Sequence, residues 1–127
     1  MILRAKLLDA NQIHHLTKQI DLKPSIFIKN SLREIKNILS YGQSFVYVEE
    51  NKVKAFLLVK KNYIDTIVSI KKGIGSKLLD ALPVGKYKVN ISSKNSISIK
   101  LFTSKGFILK GVEYLGKYPR MYYENKI

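Results

Sequence analysis

Apolar residues along the chain follow two spacings, every second residue or every third to fourth residue, and these alternate from segment to segment. The first spacing is typical of strands and the second of helices. The predicted strands cover residues 2–6, 45–48, 53–59, 63–70, 87–91, 107–115 and 118–124. The predicted helices cover residues 9–20, 31–39, 75–82 and 92–106. Between the first two helices, the segment from Leu22 to Ser25 contains Pro24 and interrupts the pattern.

This order of elements predicts a single α/β domain that spans residues 1–127. The alternation suits a mixed sheet of about seven strands with about four helices packed against it. A chain of this length can bury a core of its own without disulfides or metals. We therefore expect one domain and no linker.

The stretch from Tyr63 to Leu82 carries the first chemical signal. An apolar run with β-branched residues leads into a loop containing Gly73 and Gly75, and the spacing then changes to that of a helix. Glycines at a helix start let an anion approach unpaired backbone N–H groups, so the loop is interpreted as a phosphate site. It lacks the Gly-Lys-Ser/Thr of a Walker loop, and Leu78 stands where a dinucleotide fingerprint needs a third glycine.

Asp65 is a carboxylate inside the predicted strand that precedes the glycine loop. If the alternation is regular, its side chain shares a face with Tyr63, Ile67 and Ser69. A carboxylate in a central strand is costly to bury without a partner. Asp65 is therefore either a candidate general base or a structural residue that is exposed or hydrogen-bonded, and both interpretations stay open.

The net charge of +14 and the pI near 9.9 favour a polyanionic partner such as nucleic acid. Nearly all of the positive residues are lysines spread along the chain, and arginine occurs only at Arg4, Arg33 and Arg120. A coding bias toward A and T would produce the same pattern without a selected surface. Nucleic acid is therefore considered as a partner but not favoured.

The cysteine and histidine content and the pattern of apolar residues exclude several kinds of site and segment. The chain has no cysteine, which excludes a disulfide framework, a thiolate nucleophile and a cysteine metal site. His14 and His15 are adjacent in a predicted helix and point about 100° apart, so no metal site is expected. Charge interrupts the apolar N-terminus too early for a signal peptide, and no apolar run reaches membrane-spanning length. We expect a soluble, cytoplasmic protein with no membrane partner.

Two motifs resemble the signatures of the GNAT superfamily of N-acetyltransferases. The loop from Lys72 to Ser76 and its flanking elements are similar to the family's acyl-CoA motif, Gln/Arg-x-x-Gly-x-Gly/Ala. The run from Asn95 to Phe107, Asn-Ser-Ile-Ser-Ile-Lys-Leu-Phe-Thr-Ser-Lys-Gly-Phe, is similar to Asn-x-x-Ala-x-x-Leu-Tyr-x-x-x-Gly-Phe. The two lie in the right order, about one strand apart, and the resemblance covers nearly the whole chain.

The resemblance implies a GNAT-like, mostly antiparallel mixed sheet and an acyl-CoA-dependent N-acetyltransferase. Such an enzyme moves the acetyl group from acetyl-CoA to an amine by direct attack in a ternary complex, with no metal. The acceptor is a small molecule or a protein, and the enzyme is a monomer or a homodimer. Asp65 is implied as the base, and Asn95 as a pantetheine contact, although capping of the following helix explains it equally well. The implied cofactor-binding residues are Ile67, Val68, Ser69, Lys71, Lys72, Gly73, Ile74, Gly75, Ser76 and Asn95.

Two positions depart from the family pattern. Ile70 stands where the family has Gln or Arg, and Phe102 stands where it commonly has the tyrosine that acts as the acid. A water or a tyrosine would have to replace that acid, and the weaker candidates for a catalytic tyrosine are Tyr63, Tyr114, Tyr118 and Tyr122. The alternative functions are a GNAT-fold binding protein that has lost catalysis, or a basic GNAT-like protein acting on nucleic acid or a nucleic-acid-bound partner.

Overall fold

A computed structural model describes residues 1–20, 29–115 and 118–126 of the chain. Its strands are β1 (Ile2–Arg4), β2 (Phe45–Glu49), β3 (Lys52–Lys60), β4 (Tyr63–Ser69), β5 (Lys86–Ser92), β6 (Ile108–Leu115) and β7 (Tyr118–Lys126). Its helices are α1 (Ala10–Lys18), α2 (Leu32–Leu39), α3 (Ile74–Asp80) and α4 (Ser96–Ser104), and a 3-10 turn at Leu7–Asp9 precedes α1. No helix in the described ranges is long and apolar enough to cross a membrane.

The strands form one mixed sheet in the order β1-β2-β3-β4-β5-β7-β6. Every neighbouring pair is antiparallel except β4 and β5, which run parallel with α3 as the crossover between them. The type and order of the described elements agree with the sequence prediction, and their ends differ from it by a few residues. The predicted interruption from Leu22 to Ser25 lies outside the described residues.

Two short turns explain why β2, β3 and β4 follow one another as hairpins. Glu50 and Asn51 between β2 and β3 have φ values of +55° and +62°, and Lys61 and Asn62 between β3 and β4 have +50° and +60°. Two consecutive residues with positive φ match the right-handed twist of the flanking strands, and asparagine tolerates this conformation better than most residues. The asparagines therefore fix these turns.

The sheet has a separate hydrophobic cluster on each face. On one face α3 and α4 pack on β3, β5 and β7, with Leu57, Leu78 and Phe102 almost fully buried. On the other face α1 and α2 pack on β2 and β3, with Ile13 and Phe56 fully buried. Both faces of β3 are covered, which explains its unbroken apolar run.

A bulge in β4 interrupts the regular alternation of its side chains. Leu58 of β3 lies opposite Thr66, whereas the next residue of β3, Val59, lies opposite Ile64, so Asp65 has no partner in the ladder. As a result Ile64 and Ile67, three residues apart, both pack in the cluster under α3 and α4. The predicted regular alternation, which put Asp65 on one face with Ile67, is therefore wrong at this point. The physical reason is the extra residue that a bulge inserts.

Helix α2 begins with a reciprocal capping arrangement. The hydroxyl of Ser31 accepts a hydrogen bond from the N–H of Glu34 at 3.2 Å, and the N–H of Ser31 donates to Oε1 of Glu34 at 3.0 Å. These bonds satisfy backbone groups that have no partner within the helix. The preceding residue, Asn30, donates hydrogen bonds to Asp65 and Thr66 of β4.

Replacing Ser31 with alanine is expected to lower the free energy of unfolding by about 1 kcal/mol, because the N–H of Glu34 loses its acceptor. The matched control is Ser40→Ala at the other end of the same helix, where the hydroxyl donates to the carbonyl of Asn37 at an exposed position. That change should cost less than about 0.5 kcal/mol. Urea denaturation of the three proteins measures the difference, and equal losses for the two variants would contradict the capping role.

Candidate active site

The two parallel strands in the middle of the sheet separate after a short contact. Strands β4 and β5 pair only at Tyr63 with Lys88 and at Ile64 with Val89. Strand β4 continues to Ser69 and β5 to Ser92 without further pairing between them. Past the bulge the sheet is therefore split, and the edge of β4 that faces β5 has no partner strand among the described residues.

A cavity of about 300 Å³ lies at this split, and we call it the fork cavity. Its polar lining comes from several elements: Asn30 and Glu34 at the start of α2, Tyr63 and Asp65 on β4, Asn90 on β5 and Arg120 on β7. Of these, sequence reasoning singled out only Asp65 and, as a weaker candidate, Tyr63. The cavity thus gathers carboxylates and amides from segments that are far apart in sequence.

A groove of about 410 Å³ continues from the fork cavity along the glycine loop, and we call it the loop groove. Its walls are the end of β4, the loop with the start of α3, and the first turns of α4. The predicted cofactor residues that line it are Ile67, Val68, Ser69, Lys71, Lys72, Gly73, Gly75, Ser76 and Asn95. Ile74 does not line it, because its side chain is buried in the core and its N–H donates to the carbonyl of Lys71 at 3.4 Å.

The fork cavity and the loop groove share three lining residues, Ile67, Asn95 and Ser98. A molecule lying in the groove can therefore present its end to the cavity at this point. Ile67 belongs to β4, and the two polar residues belong to the start of α4. Ser98 was missed by sequence reasoning, although its position one helical turn before Phe102 places both residues on one side of the helix.

Asp65 is held at the fork by two short hydrogen bonds. Asn30 donates to Oδ1 of Asp65 at 2.6 Å, and the hydroxyl of Thr66 donates to the same oxygen at 2.7 Å. No hydrogen bond from the described residues reaches the second oxygen, Oδ2. The carboxylate is therefore both fixed in position and able to accept a further proton or hydrogen bond.

Tyr63, Arg120 and Asn90 also line the fork cavity. Burial raises the pKa of the Tyr63 hydroxyl, and the nearby charge of Asp65 raises it further, so the phenol stays protonated at neutral pH. Arg120 donates through Nη2 to the backbone carbonyl of Asn90 at 3.2 Å. The side-chain oxygen of Asn90 is buried and has no hydrogen-bond partner among the described residues. This oxygen is closed off from solvent, so its hydrogen-bonding capacity is unsatisfied within the described part of the structure.

Comparisons with known proteins identify the architecture. No protein-family model matches the chain, and no curated protein sequence matches it either. Solved structures match over nearly the full length. An acetyltransferase of the GNAT family from Bacillus cereus superposes with a TM-score of 0.81 at 22% identity, covering 99% of this chain and 96% of that one. The chain has the GNAT fold.

Two further solved structures show the same fold. The ribosomal-protein-S18-alanine N-acetyltransferase from Escherichia coli has a TM-score of 0.81 at 16% identity, covering 100% of this chain and 93% of that one. A putative acetyltransferase from Salmonella typhimurium, solved with its cofactor acetyl-CoA, has a TM-score of 0.77 at 17% identity, covering 99% of this chain and 92% of that one. The resemblance that the two sequence motifs indicated is thus confirmed at the level of the fold.

The glycine loop of this GNAT fold is braced by polar contacts. The Ser69 hydroxyl donates to the carbonyl of Lys71 at 2.5 Å and accepts from its N–H at 3.2 Å. Nζ of Lys71 lies 2.6 Å from Oε2 of Glu49, which also accepts from the Tyr47 hydroxyl at 2.7 Å. The hydrogen bond from Lys71, followed by that from Tyr47, lowers the pKa of Glu49. Lys71 is therefore engaged with β2, and Lys72 has no ion-pair partner among the described residues.

Ile70, the first departure from the GNAT pattern, takes no part in the loop groove. It is 55% exposed and lies on the other side of the loop, beside Gln12 and His15 of α1. The connection from β4 to α3 is only four residues long, from Ile70 to Gly73. The groove consequently lacks the guanidinium or amide that the family pattern places here.

The two loop glycines are required for different reasons. Gly73 is the N-cap of α3 and has φ of +85°, a conformation that strains any residue with a Cβ, although nothing lies within 4 Å of a Cβ built there. Gly75 has no positive φ, but an added Cβ would lie 3.2 Å from Cδ2 of Leu101 and 3.8 Å from Cδ1 of Ile67. Gly73 therefore allows the turn, and Gly75 allows α3 to pack closely against α4 and β4.

Asn95 and Phe102 anchor α4 in this fold. Oδ1 of Asn95 accepts from the N–H of Ser98 at 3.2 Å, which confirms the capping interpretation and leaves its NH₂ group at the groove. Phe102 is buried and packs edge-to-face on Phe107 with ring centroids 5.0 Å apart. It lines the fork cavity with a ring that cannot donate a proton.

Two of the other tyrosines considered from the sequence, Tyr114 and Tyr122, lie outside both cavities. Tyr114 is 80% exposed on the edge strand β6. The Tyr122 hydroxyl donates to Glu124 at 3.1 Å. The side chain of Tyr118 lies outside the described part of the structure. Of the three weaker candidates whose side chains are described, only Tyr63 lines the fork cavity.

Replacing Gly73 with alanine is expected to lower the free energy of unfolding by about 1–2 kcal/mol, because the Cβ makes the left-handed conformation unfavourable. Gly73→Asn should cost less, since asparagine tolerates this region. Gly111→Ala is the matched control: its φ is not positive and the space around it is open, so it should be nearly neutral. Chemical denaturation measures all three, and a Gly73→Ala protein as stable as the Gly111→Ala control would contradict this explanation.

Proposed function

We propose that the protein is an acyl-CoA-dependent N-acetyltransferase, which transfers an acetyl group from acetyl-CoA to an amine. The observation that carries the proposal is the junction at Ile67, Asn95 and Ser98, where a groove along the glycine loop opens into a polar cavity. An elongated donor and a separate acceptor can meet there in one complex. The shared fold with acetyltransferases, one of them solved with acetyl-CoA, supports the proposal.

The loop groove suits the donor in shape and chemistry. The free edge of β4 from Ile67 to Ser69 can pair with the amide groups of pantetheine as a neighbouring strand would. The exposed loop supplies two kinds of group that can bind an anion. One is the backbone N–H groups of Gly75 and Ser76, which have no acceptor within the helix, and the other is the positive charge of Lys72. Asn95 offers its NH₂ group on the opposite wall. These groups would hold a chain of amides ending in a pyrophosphate.

The fork cavity suits an amine acceptor. Asp65 and Glu34 bring two carboxylates to it, against one arginine, Arg120, so the cavity lining is net negative although the chain as a whole is strongly positive. Amines and ammonium groups are hydrogen-bond donors that such a lining stabilises.

Proton transfer is assigned to Asp65. Asn30 and Thr66 fix one carboxylate oxygen and leave the other available to take the proton that the amine loses as its nitrogen attacks the acetyl carbon. Backbone N–H groups on the free edge of β4 can stabilise the negative charge that develops on the carbonyl oxygen. No covalent bond to the protein is needed, in keeping with a chain that has no cysteine.

Acetyl-CoA is expected to stabilise the protein against thermal unfolding, since a ligand that binds only the folded state raises its stability. At a concentration 100 times the dissociation constant the gain is about 2.7 kcal/mol, which shifts Tm by several degrees. Differential scanning fluorimetry measures the shift, with adenosine 3′,5′-bisphosphate as the control ligand that lacks the pantetheine arm. Millimolar acetyl-CoA with no effect beyond the control would contradict the proposed function.

Asp65→Asn should reduce thiol release with a responsive amine by about 10²–10⁴-fold, the usual contribution of a general base. Asparagine keeps an oxygen for Asn30 and Thr66, so acetyl-CoA stabilisation should match the wild type. The control is Asp80→Asn on the exposed face of α3, where the carboxylate pairs with Lys105 away from both cavities. Turnover by Asp65→Asn at the wild-type rate would exclude Asp65 as the base.

Two observations favour a second candidate, a GNAT-fold protein that binds acyl-CoA without transferring the acyl group. Ile70 stands where the family pattern has Gln or Arg, so the loop groove lacks that polar side chain. Phe102 stands where the family commonly has tyrosine, so the fork cavity lacks that hydroxyl. Such a protein would show the same thermal stabilisation by acetyl-CoA. It would release no thiol with any member of an amine panel, which distinguishes it from the enzyme.

A further inference from the structure

We propose that the hydroxyl of Ser98 donates the hydrogen bond that stabilises the departing thiolate, the task for which Phe102 has no group. The proposal rests on the proposed acetyltransferase function. It assigns to Ser98 a catalytic contact with the sulfur of the donor, and it explains how transfer proceeds without a tyrosine at position 102.

The place of Ser98 in the two cavities is the first reason. For an acetyl group to pass from a donor in the loop groove to an acceptor in the fork cavity, the bond that breaks must lie where the two meet. The residues lining both are Ile67, Asn95 and Ser98. Ile67 is apolar, and Asn95, whose oxygen caps α4, uses its NH₂ group for the pantetheine amides in the proposed donor complex. Ser98 is therefore the hydroxyl at the junction.

The second reason is that the Ser98 hydroxyl is available. The hydroxyls of Thr103 and Ser104, on the same helix, donate to carbonyls of their own helix at 2.8 Å and 2.6 Å. Ser98 makes no side-chain hydrogen bond with the described residues, and only its backbone N–H is engaged, by Asn95. Its side chain is half-buried, so the hydroxyl can reach a bound ligand without first breaking a protein contact.

Competing donors are less well placed. Tyr63 lines the fork cavity but not the groove, and it lies at the closed end of the fork, opposite Lys88. The residues opposite Tyr63 and Ile67 on β3, Lys60 and Leu57, are three apart, so Tyr63 lies roughly 10 Å from Ile67 along the strand. The Tyr122 hydroxyl is already donated to Glu124. Neither tyrosine lies at the junction.

A serine hydroxyl suits this role as a hydrogen-bond donor rather than as a proton donor. A thiol has a pKa of about 8.5, so its thiolate is a tolerable leaving group near neutral pH if its charge is stabilised. The amine nitrogen forms a bond to the acetyl carbon, the carbon–sulfur bond breaks, and its electron pair passes to sulfur, which accepts the hydrogen bond from Ser98. Asp65 takes the proton lost by the nitrogen, and solvent later protonates the thiolate.

Binding alone tests the proposal, without any acceptor. In the wild type a hydrogen bond donated to sulfur lowers the pKa of the bound CoA thiol, which means that the thiolate form of CoA binds more tightly than the thiol form. The affinity for CoA relative to desulfo-CoA, which has no thiol, should therefore rise about tenfold between pH 7 and pH 9.5. In Ser98→Ala that rise should fall below about threefold. Ser96→Ala is the matched control, because Ser96 begins the same helix, is exposed and lines neither cavity.

Kinetics with a responsive amine give an independent readout. Ser98→Ala should reduce kcat for thiol release by about 10- to 100-fold, the size expected for losing one hydrogen bond to a charged atom, with a change in KM for acetyl-CoA below about threefold. Ser98→Thr retains a hydroxyl and should keep most of the wild-type kcat. A Ser98→Ala protein with the wild-type pH dependence of CoA binding overturns the role of Ser98 and leaves the proposed function intact. A wild-type protein that does not bind CoA overturns both.

Discussion

The separation of β4 from β5 is the constraint on which the rest of the candidate site depends. Two parallel strands that pair at Tyr63 and Ile64 and then part leave the rest of the β4 edge without a partner strand among the described residues. The bulge at Asp65 lies at the point of separation, and bulges bend and twist the strand that carries them. One local irregularity thus creates the fork cavity between the strands and the free edge of β4 along the loop groove. It also presents Asp65, the unpaired residue of the bulge, to that cavity.

Much of the fold follows from local rules that the sequence displays. Alternating spacings predict the elements, Asn51 and Asn62 fix two hairpin turns, and Ser31 with Glu34 starts α2. The site follows less directly. A bulge adds a residue without any mark in the sequence, so the face on which Asp65 lies could not be predicted. Other polar residues reach the fork cavity from distant segments, and only tertiary structure brings them together: Asn30, Glu34, Asn90 and Arg120.

Charge is distributed unevenly between the surface and the candidate site. The chain carries a net charge of +14, yet Lys71 in the glycine loop is paired with Glu49, and the fork cavity contains two carboxylates. An exposed ion pair adds little stability, so the contact from Lys71 to β2 matters more for where it holds the loop than for its energy. For the proposed reaction, the positive net charge would attract an anionic donor over a distance, and the negative lining at the fork would favour a group that donates hydrogen bonds.

The departures at Ile70 and Phe102 have different physical consequences. Ile70 lies beside α1 on the outer side of the loop, so this position adds no polar side chain to the groove. Anion binding in the groove would therefore depend on backbone N–H groups and Lys72. Phe102 instead completes the core by packing on Phe107, and a tyrosine there would have to place its hydroxyl into the fork cavity or leave it unpaired among apolar side chains. One helical turn earlier, Ser98 carries a short hydroxyl where the groove and the cavity meet. In the proposed mechanism a thiolate needs a hydrogen bond more than it needs a proton, so a donor one turn earlier would let α4 keep an apolar core and still contact the sulfur.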